Sequence, residues 1–337
     1  MKIAIDAFGG DNAPLEIIKG AILARDEKKV GDFNLILVGD ESHIKACAAE
    51  NNLDLKGIEI QHAATKITMT DDPNVVVKEK KDSSMAVGLK LVAAGDAQAF
   101  LSAGNTGAIV MGSTFLAKRI RGIERAALAA MLPTKKIPVM VLDVGANIEC
   151  KPQMLLQFGL MASVYMENVE NRTNPTVGLL NIGAEESKGT PLQTETYKLL
   201  KNSTLNFIGN IEAREVPHGN VDIIVADGFS GNLVLKLTEG LGLTLMGMMK
   251  NVFMSNILTK FSALMVRKSM LKMKNQLDYT EYGGAPLMGI SKPVIKAHGS
   301  SNAKAIKNAI YQAVRYEKSG AITLISEMIK TENDNAT

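Results

Sequence analysis

The sequence predicts an α/β fold, a three-layer α/β/α arrangement around one open, mostly parallel sheet. Two observations carry this. Apolar, β-rich runs alternate along the chain with longer segments of helical period. Most of the runs lack the in-out alternation of a half-exposed strand, so they are buried on both faces, with the intervening helices as crossovers.

The elements follow in order. "KIAIDA" opens the first strand and leads through "FGGDNAP", where Asp11 or Asn12 is placed to cap a helix over 14–28 with Pro14 just inside its start. "NLILVG" precedes a helix over 40–51, and "IEIQHA" a helix over 83–95. "AFLSA" feeds a helix over 107–119, "PVMVLDV" one over 152–168, and "VGLLNI" one over 190–202. "LNFIG" and "VDIIVADG" lead to a long helix over 229–251, and "PVIKA" to two more over 302–317 and 319–331. No repeat or low-complexity linker divides the chain, so 1–330 reads as one catalytic domain with an amphipathic helical protrusion at about 243–275 and a flexible tail at 331–337.

Composition narrows the class. The 337 residues are 46% hydrophobic and 22% charged, carry a net charge of +3, and include no Trp. That charge is small for a nucleic-acid partner, and neither a zinc-type Cys/His spacing nor an aromatic-basic stripe is present. Cys47 and Cys150 stand far apart without a C-x-x-C, as expected of free thiols in a reducing compartment. "MKIAIDAFGG" has no signal-peptide pattern, and no run reaches the 18 apolar residues of a membrane span. A cytoplasmic protein is expected.

The strand exits hold the chemistry. "FGGDNAP", "GNTGA", "GANIE", "GAEESKGT", "GFSGN" and "HGSS" each follow a strand and repeat one recipe of Gly with Asn, Ser, Thr or Asp. Carboxyl ends of strands form the ligand crevice of open α/β sheets, so all six turns are expected on one edge. Their backbone N–H groups favour an anion, above all phosphate. No G-x-G-x-x-G follows the first strand, "GAEESKGT" places Lys188 before its last Gly instead of after it, and no G-x-S-x-G elbow occurs. Neither a nucleotide nor a covalent nucleophile is indicated.

Together, "DAFGGDNAP", "SAGNTGA", "LDVGAN", "NIGAEESKG", "GFSGN", "EYGGAPLMG" and "KAHGSS" resemble, in order and along nearly the whole chain, the bacterial PlsX-type phosphate acyltransferases of phospholipid synthesis. One departure is Phe8, where Met is more usual, and it leaves Gly9, Gly10 and Asp11 intact. The resemblance implies transfer of a fatty acyl group from acyl carrier protein to inorganic phosphate. It also implies a fold related to phosphotransacetylases and isocitrate/isopropylmalate dehydrogenases, and a homodimer at the membrane surface that hands its product to a glycerol-3-phosphate acyltransferase.

Such an enzyme must hold an anion, align it about 3–3.5 Å from a thioester carbonyl, and stabilise the developing oxyanion. A thiolate leaving group, with a pKa of about 8.5, needs less acid assistance than an amine. Phosphate binding is therefore assigned to Gly9-Gly10-Asp11 and Ser102, Gly104, Asn105, Thr106 and Gly107, with Lys188 and His298 as polar partners. Asn232 and Ser300 are expected to donate to the tetrahedral oxygen. Asp6, Asp143, Asn147, Asn181, Gly183, Glu185, Asp227, Gly283 and Gly284 complete the predicted substrate contacts. No cofactor or metal is expected: the strand-end carboxylates are as well suited to orienting backbone donors, and transfer to phosphate requires no cation.

A second feature lies apart from these turns. Between Glu239 and Asp278 no acidic residue occurs, while Lys250, Lys260, Arg267, Lys268, Lys272 and Lys274 and seven of the 18 methionines do. Ile257, Phe261, Leu264 and Leu271 fall near one helical face, giving an imperfect amphipathic helix pair broken near Ser255-Asn256. Lys250, Phe253, Ile257, Lys260, Phe261, Leu264, Arg267 and Lys268 are predicted to contact an anionic membrane or the acidic carrier, with a dimer interface at the base. Two other classes compete: a metal- and dinucleotide-dependent dehydrogenase of the related fold, and a noncatalytic docking scaffold, which has no use for so many polar strand-end turns.

Overall fold

A computed structural model describes residues 1–277 and 283–335. The strands are β1 (Lys2–Asp6), β2 (Asn34–Gly39), β3 (Ile58–His62), β4 (Ala99–Ser102), β5 (Ala127–Leu132), β6 (Val139–Leu142), β7 (Thr176–Asn181), β8 (Asn206–Glu212), β9 (Ile223–Val225), β10 (Ala285–Met288) and β11 (Val294–Lys296). The helices are α1 (Leu15–Glu27), α2 (Glu41–Glu50), α3 (Ser84–Ala94), α4 (Thr106–Gly112), α5 (Pro152–Asn168), α6 (Pro191–Asn202), α7 (Gly228–Met254), α8 (Ile257–Leu277), α9 (Ala303–Lys318) and α10 (Ala321–Asn335). The described strands form one eleven-stranded sheet in the order β3-β2-β1-β4-β11-β10-β5-β6-β9-β7-β8.

Strand alternation sorts the apolar side chains into two cores, one on each face of the sheet. Ile3, Ile5, Leu37 and Leu101 face Ile17 and Ile18 of α1, Phe158 of α5 and Ile306 of α9. Ala4, Val38 and Phe100 face Met85 and Leu89 of α3 and Ile109 of α4. Each such large side chain contributes about 1.5–3 kcal/mol by leaving water. These are the expected three layers.

Pairing direction overturns one expectation. β10 runs antiparallel to both β11 and β5, and β5 antiparallel to β6, while the flanking pairs are parallel. Three reversals leave β6, β9 and β7 running against β1, β4 and β11. The six polar turns therefore do not share an edge: those after β1, β4 and β11 lie on one, those after β6, β7 and β9 on the opposite one. Pairing direction has no local signature in the sequence, which is why uniform parallelism misled.

Three local corrections follow. Neither Asp11 nor Asn12 caps α1; Pro14 holds the cap position without a side-chain hydrogen bond, and Asn12 Nδ2 donates instead to the Ser300 and Ser301 carbonyls at 3.1 and 3.4 Å. The single helix expected over 107–119 is α4 followed by a π-helical stretch, Ser113–Lys118. β5 and β10 went unpredicted. The predicted break at Ser255-Asn256 does separate α7 from α8, with Asn256 Oδ1 accepting the Thr259 N–H at 2.9 Å. Both cysteines are free.

Candidate active site beneath helix α7

On the first edge, Asp6 ends β1 almost wholly buried, and Ser102 Oγ donates to it at 2.7 Å. Gly104 N–H donates in turn to Ser102 Oγ at 3.0 Å, locking the first turn to the turn after β4. Burial pushes the Asp6 carboxyl above its ordinary value, against the pull of the Ser84 and Ser102 hydroxyls. Gly10 adopts φ +99°, and a Cβ there would lie 2.9 Å from the Gly299 carbonyl, so only glycine lets these turns close together. Asp11 N–H donates to that same carbonyl at 2.8 Å. Asn105 caps α4 through Ala108 N–H, while its Nδ2 donates to the Met69 and Asp71 carbonyls, both at 3.1 Å. Gly107 packs against Pro73. Asp6, Ser102, Gly104, Asn105 and Gly107 thus tie the turns of this edge together without lining the cavity under α7, which Thr106 does line.

On the opposite edge Asp143 is fully buried and accepts four hydrogen bonds, from Leu128, Ala146 and Asn147 N–H and from Asn147 Nδ2, at 2.7–3.1 Å. Burial still holds this carboxyl above its usual range. Asp227 caps α7 by accepting Ser230 N–H at 2.8 Å. Asp143, Asn147 and Asp227 therefore shape loops. Among the described residues no group of three or more His, Cys, Asp or Glu is placed to hold a metal ion.

Helix α7 starts on this second edge and crosses the sheet face toward the first, a climb of about 1.5 Å per residue. Under it lies a cavity of about 290 Å³. It is lined by the polar or charged Thr106, Asn232, Lys236, Glu239, Lys296 and His298, by Gly283 and Gly284, and by the apolar Leu128, Ala130, Met131, Val144 and Leu235. Of the predicted catalytic residues, Asn232 and His298 line it directly. Ser300 is linked through a 2.8 Å contact between its Oγ and His298 Nδ1. Ser300 N–H also donates to Nδ1 at 3.2 Å, which places the ring proton on Nε2. Burial, followed by the nearby Lys296 and Lys236 charges, lowers the His298 pKa, so the imidazole is neutral at pH 7.

Lys188 is not brought there. It is exposed in the turn after β7, where Asn181 Nδ2 donates to its carbonyl at 3.0 Å and Asn210 Nδ2 to that of Glu185 at 2.8 Å. Asn181, Gly183, Glu185 and Lys188 form a separate turn that does not line the cavity. Glu281 and Tyr282 of "EYGGAPLMG", and Asp278, lie outside the described residues.

The sequence reading missed Lys236, Glu239 and Lys296. The available signal was the lysine in "PVIKA", a charge at the carboxyl end of an otherwise buried strand. Lys236 Nζ and Glu239 Oε2 pair at 2.8 Å. Lys296 is pushed down to about 8, first by burial and then by the like charge of Lys236.

Comparison with known proteins now decides the family. A family model described as "Fatty acid synthesis protein" matches residues 1–324. The phosphate acyltransferase of Alkaliphilus oremlandii is 47% identical over 335 residues, 99% of each chain, and that of Clostridium tetani 46% identical over 327 residues, 97% of each. The chain belongs to the phosphate acyltransferase family. It is an enzyme, an acyltransferase of fatty acid synthesis that uses phosphate as acyl acceptor. A phosphotransacetylase from Streptococcus pyogenes superposes with a TM-score of 0.64, and the EutD phosphotransacetylase from Staphylococcus aureus with 0.62, each at 16% identity over 94% of both chains. They confirm the predicted fold.

Helices α7 and α8 leave large apolar side chains in solvent. Leu245, Met248 and Val252 of α7 and Ile257, Leu258, Phe261, Leu264 and Met265 of α8 are each more than half exposed. Lys250, Lys260, Arg267, Lys268 and Leu271 are exposed beside them, and Phe253 is half-buried. The side chains of Lys272 and Lys274 lie outside what is described. Among the described residues no helix is long and apolar enough to cross a membrane.

Proposed function

We propose that this enzyme transfers a fatty acyl group from the thioester of an acyl carrier protein to inorganic phosphate, supplying acyl phosphate for phospholipid synthesis. The observation that carries this reading is the mixed lining of the cavity, where cations and hydrogen-bond donors share one space with aliphatic side chains and Gly145 lies beside Asn232. A phosphate oxygen attacks the thioester carbonyl, with Asn232 Nδ2 as donor to the oxygen that gains charge. The C–O bond forms, the C–S bond breaks, and the sulfur leaves with the electron pair and takes a proton from water.

The decisive experiment incubates the enzyme with acyl carrier thioester and phosphate and follows free thiol and acyl phosphate. The expected result is equal amounts of both. Thiol release without acyl phosphate would refute the reading, and a thermal shift with dinucleotide but none with phosphate would favour a dehydrogenase. His298→Ala is expected to lower kcat/KM about 10²-fold, the usual cost of losing one positioned donor. Lys188→Ala, measured beside it, reports on the turn after β7: an equal loss would extend the site along that edge.

The protrusion is assigned to docking, with a second copy packing at its base and an anionic membrane taking its tip. Contiguous exposed apolar surface on this scale marks an interaction site, and the absence of acidic residues suits anionic lipid. Each cation near such a surface is worth about 1 kcal/mol. Arg267→Gln with Lys268→Gln is therefore expected to weaken binding to anionic vesicles about 30-fold while the sedimenting mass stays that of the dimer. Loss of the dimer with vesicle binding intact would reverse the assignment.

A further inference from the structure

We propose that Lys296 is the cation that binds the phosphate substrate, its Nζ taking the phosphate oxygens beside the imidazole of His298. The assignment rests on the reading of this cavity as the phosphate-accepting site.

Strand alternation aims the side chain. Val294 belongs to the core on the α3 and α4 face of the sheet, while Ile295 and Ala297 belong to the core on the other face. Lys296 therefore points to the face that carries the cavity, which it lines together with Thr106 and His298. Among the described residues no carboxylate lies within ion-pair distance of Nζ, and Glu239, the nearest source of one on α7, is already engaged by Lys236 at 2.8 Å. The charged and titratable groups that face it are Lys236 and Glu239 from α7, Asp11 from the turn after β1, and His298 from its own turn. A half-buried ammonium crowded by the like charge of Lys236 is costly, and a bound anion relieves that cost. Burial and the like charge of Lys236 bring its titration down to about 8, the behaviour of a cation that waits for its anion. Phosphate fits the donors present: an ammonium, an imidazole and the Thr106 hydroxyl, while the Glu239 carboxylate in the same lining is held by Lys236 at 2.8 Å.

Binding of inorganic phosphate alone to the full-length enzyme, by calorimetric titration without carrier, separates free phosphate from any phosphate group carried by another substrate. At pH 7 the wild type is expected to bind, and Lys296→Met to lose at least tenfold in affinity. In turnover the same variant should raise the phosphate KM at least tenfold and change kcat less. Unchanged phosphate affinity in a folded Lys296→Met, or no phosphate binding by the wild type, overturns the proposal. Should Lys296→Met not fold, Lys296→Arg decides. Wild-type affinity is expected to fall about fivefold between about pH 8 and pH 9, while the arginine variant, which stays charged, shows no such fall. Equal declines in both would remove Lys296 from the site. Wild-type phosphate binding without acyl phosphate formation would instead sink the functional reading and leave this anion site standing.

Discussion

Replacing Asp143 with alanine is expected to destabilise the enzyme by about 3–5 kcal/mol, because several neutral hydrogen-bond donors lose their one shared acceptor. Four donors converge on this carboxylate from three residues, and no solvent reaches it. Removal would strand the buried Leu128 N–H in β5, at about 1–3 kcal/mol, and release the part-buried Ala146 and Asn147 donors that shape the turn after β6, at less each. For a chain of this length the midpoint of thermal unfolding should fall by roughly 4–7 °C. Asp143→Asn is the informative companion. Its amide oxygen can serve Leu128 and Ala146, but its nitrogen would then face Asn147 N–H and Nδ2, donor against donor. It too should lose about 1–3 kcal/mol. Melting curves that move by less than a degree for both variants would show that the carboxylate anchors nothing.

Gly231→Ala is expected to reduce kcat/KM about 10²-fold or more with a smaller effect on stability, about 1–3 kcal/mol. A Cβ at Gly231 would lie 1.9 Å from the Asp143 carbonyl oxygen, backbone against backbone, so the first turn of α7 has to lift. The same helix carries Asn232, Leu235, Lys236 and Glu239 into the cavity, and a shift of about 1 Å there misplaces reacting groups enough for such a loss. Gly240→Ala is the control on the same helix, because an added Cβ there meets nothing within 4 Å. It should keep activity within about twofold and gain up to roughly 1 kcal/mol of helix propensity. Equal activity in the two variants would mean that the seating of α7 does not govern the site.

The strands that the sequence made legible are those buried on both faces, such as β1, β2 and β9, whose short apolar runs are bounded by polar turns. β5 escaped because "ALAAML" is written in helix formers, and β10 because "APLM" is only four residues long. Both owe their conformation to neighbours across the sheet, and tertiary pairing overrides so weak a local preference. Their omission hid the reversals, and with them the separation of the polar turns onto two edges. The candidate site was legible in the same partial way. Asn232, His298, Thr106, Gly283 and Gly284 announce themselves through turn chemistry, which is local. Lys236 and Glu239 sit in the middle of a helix whose composition reads as ordinary amphipathic surface.

Residue order alone settles the alternation of elements, the layered class, the family and the break between α7 and α8, because each rests on periodicity, turn chemistry or a contiguous motif. It took the folded chain to reveal that the two halves of the sheet run in opposite directions, that Asp6, Asp143 and Asp227 shape loops, and that Lys296 and His298 share a cavity with Thr106 and α7. Those outcomes depend on pairings between residues far apart in the chain, where the free energy of packing and of satisfying buried polar groups selects among arrangements that local propensity leaves equal.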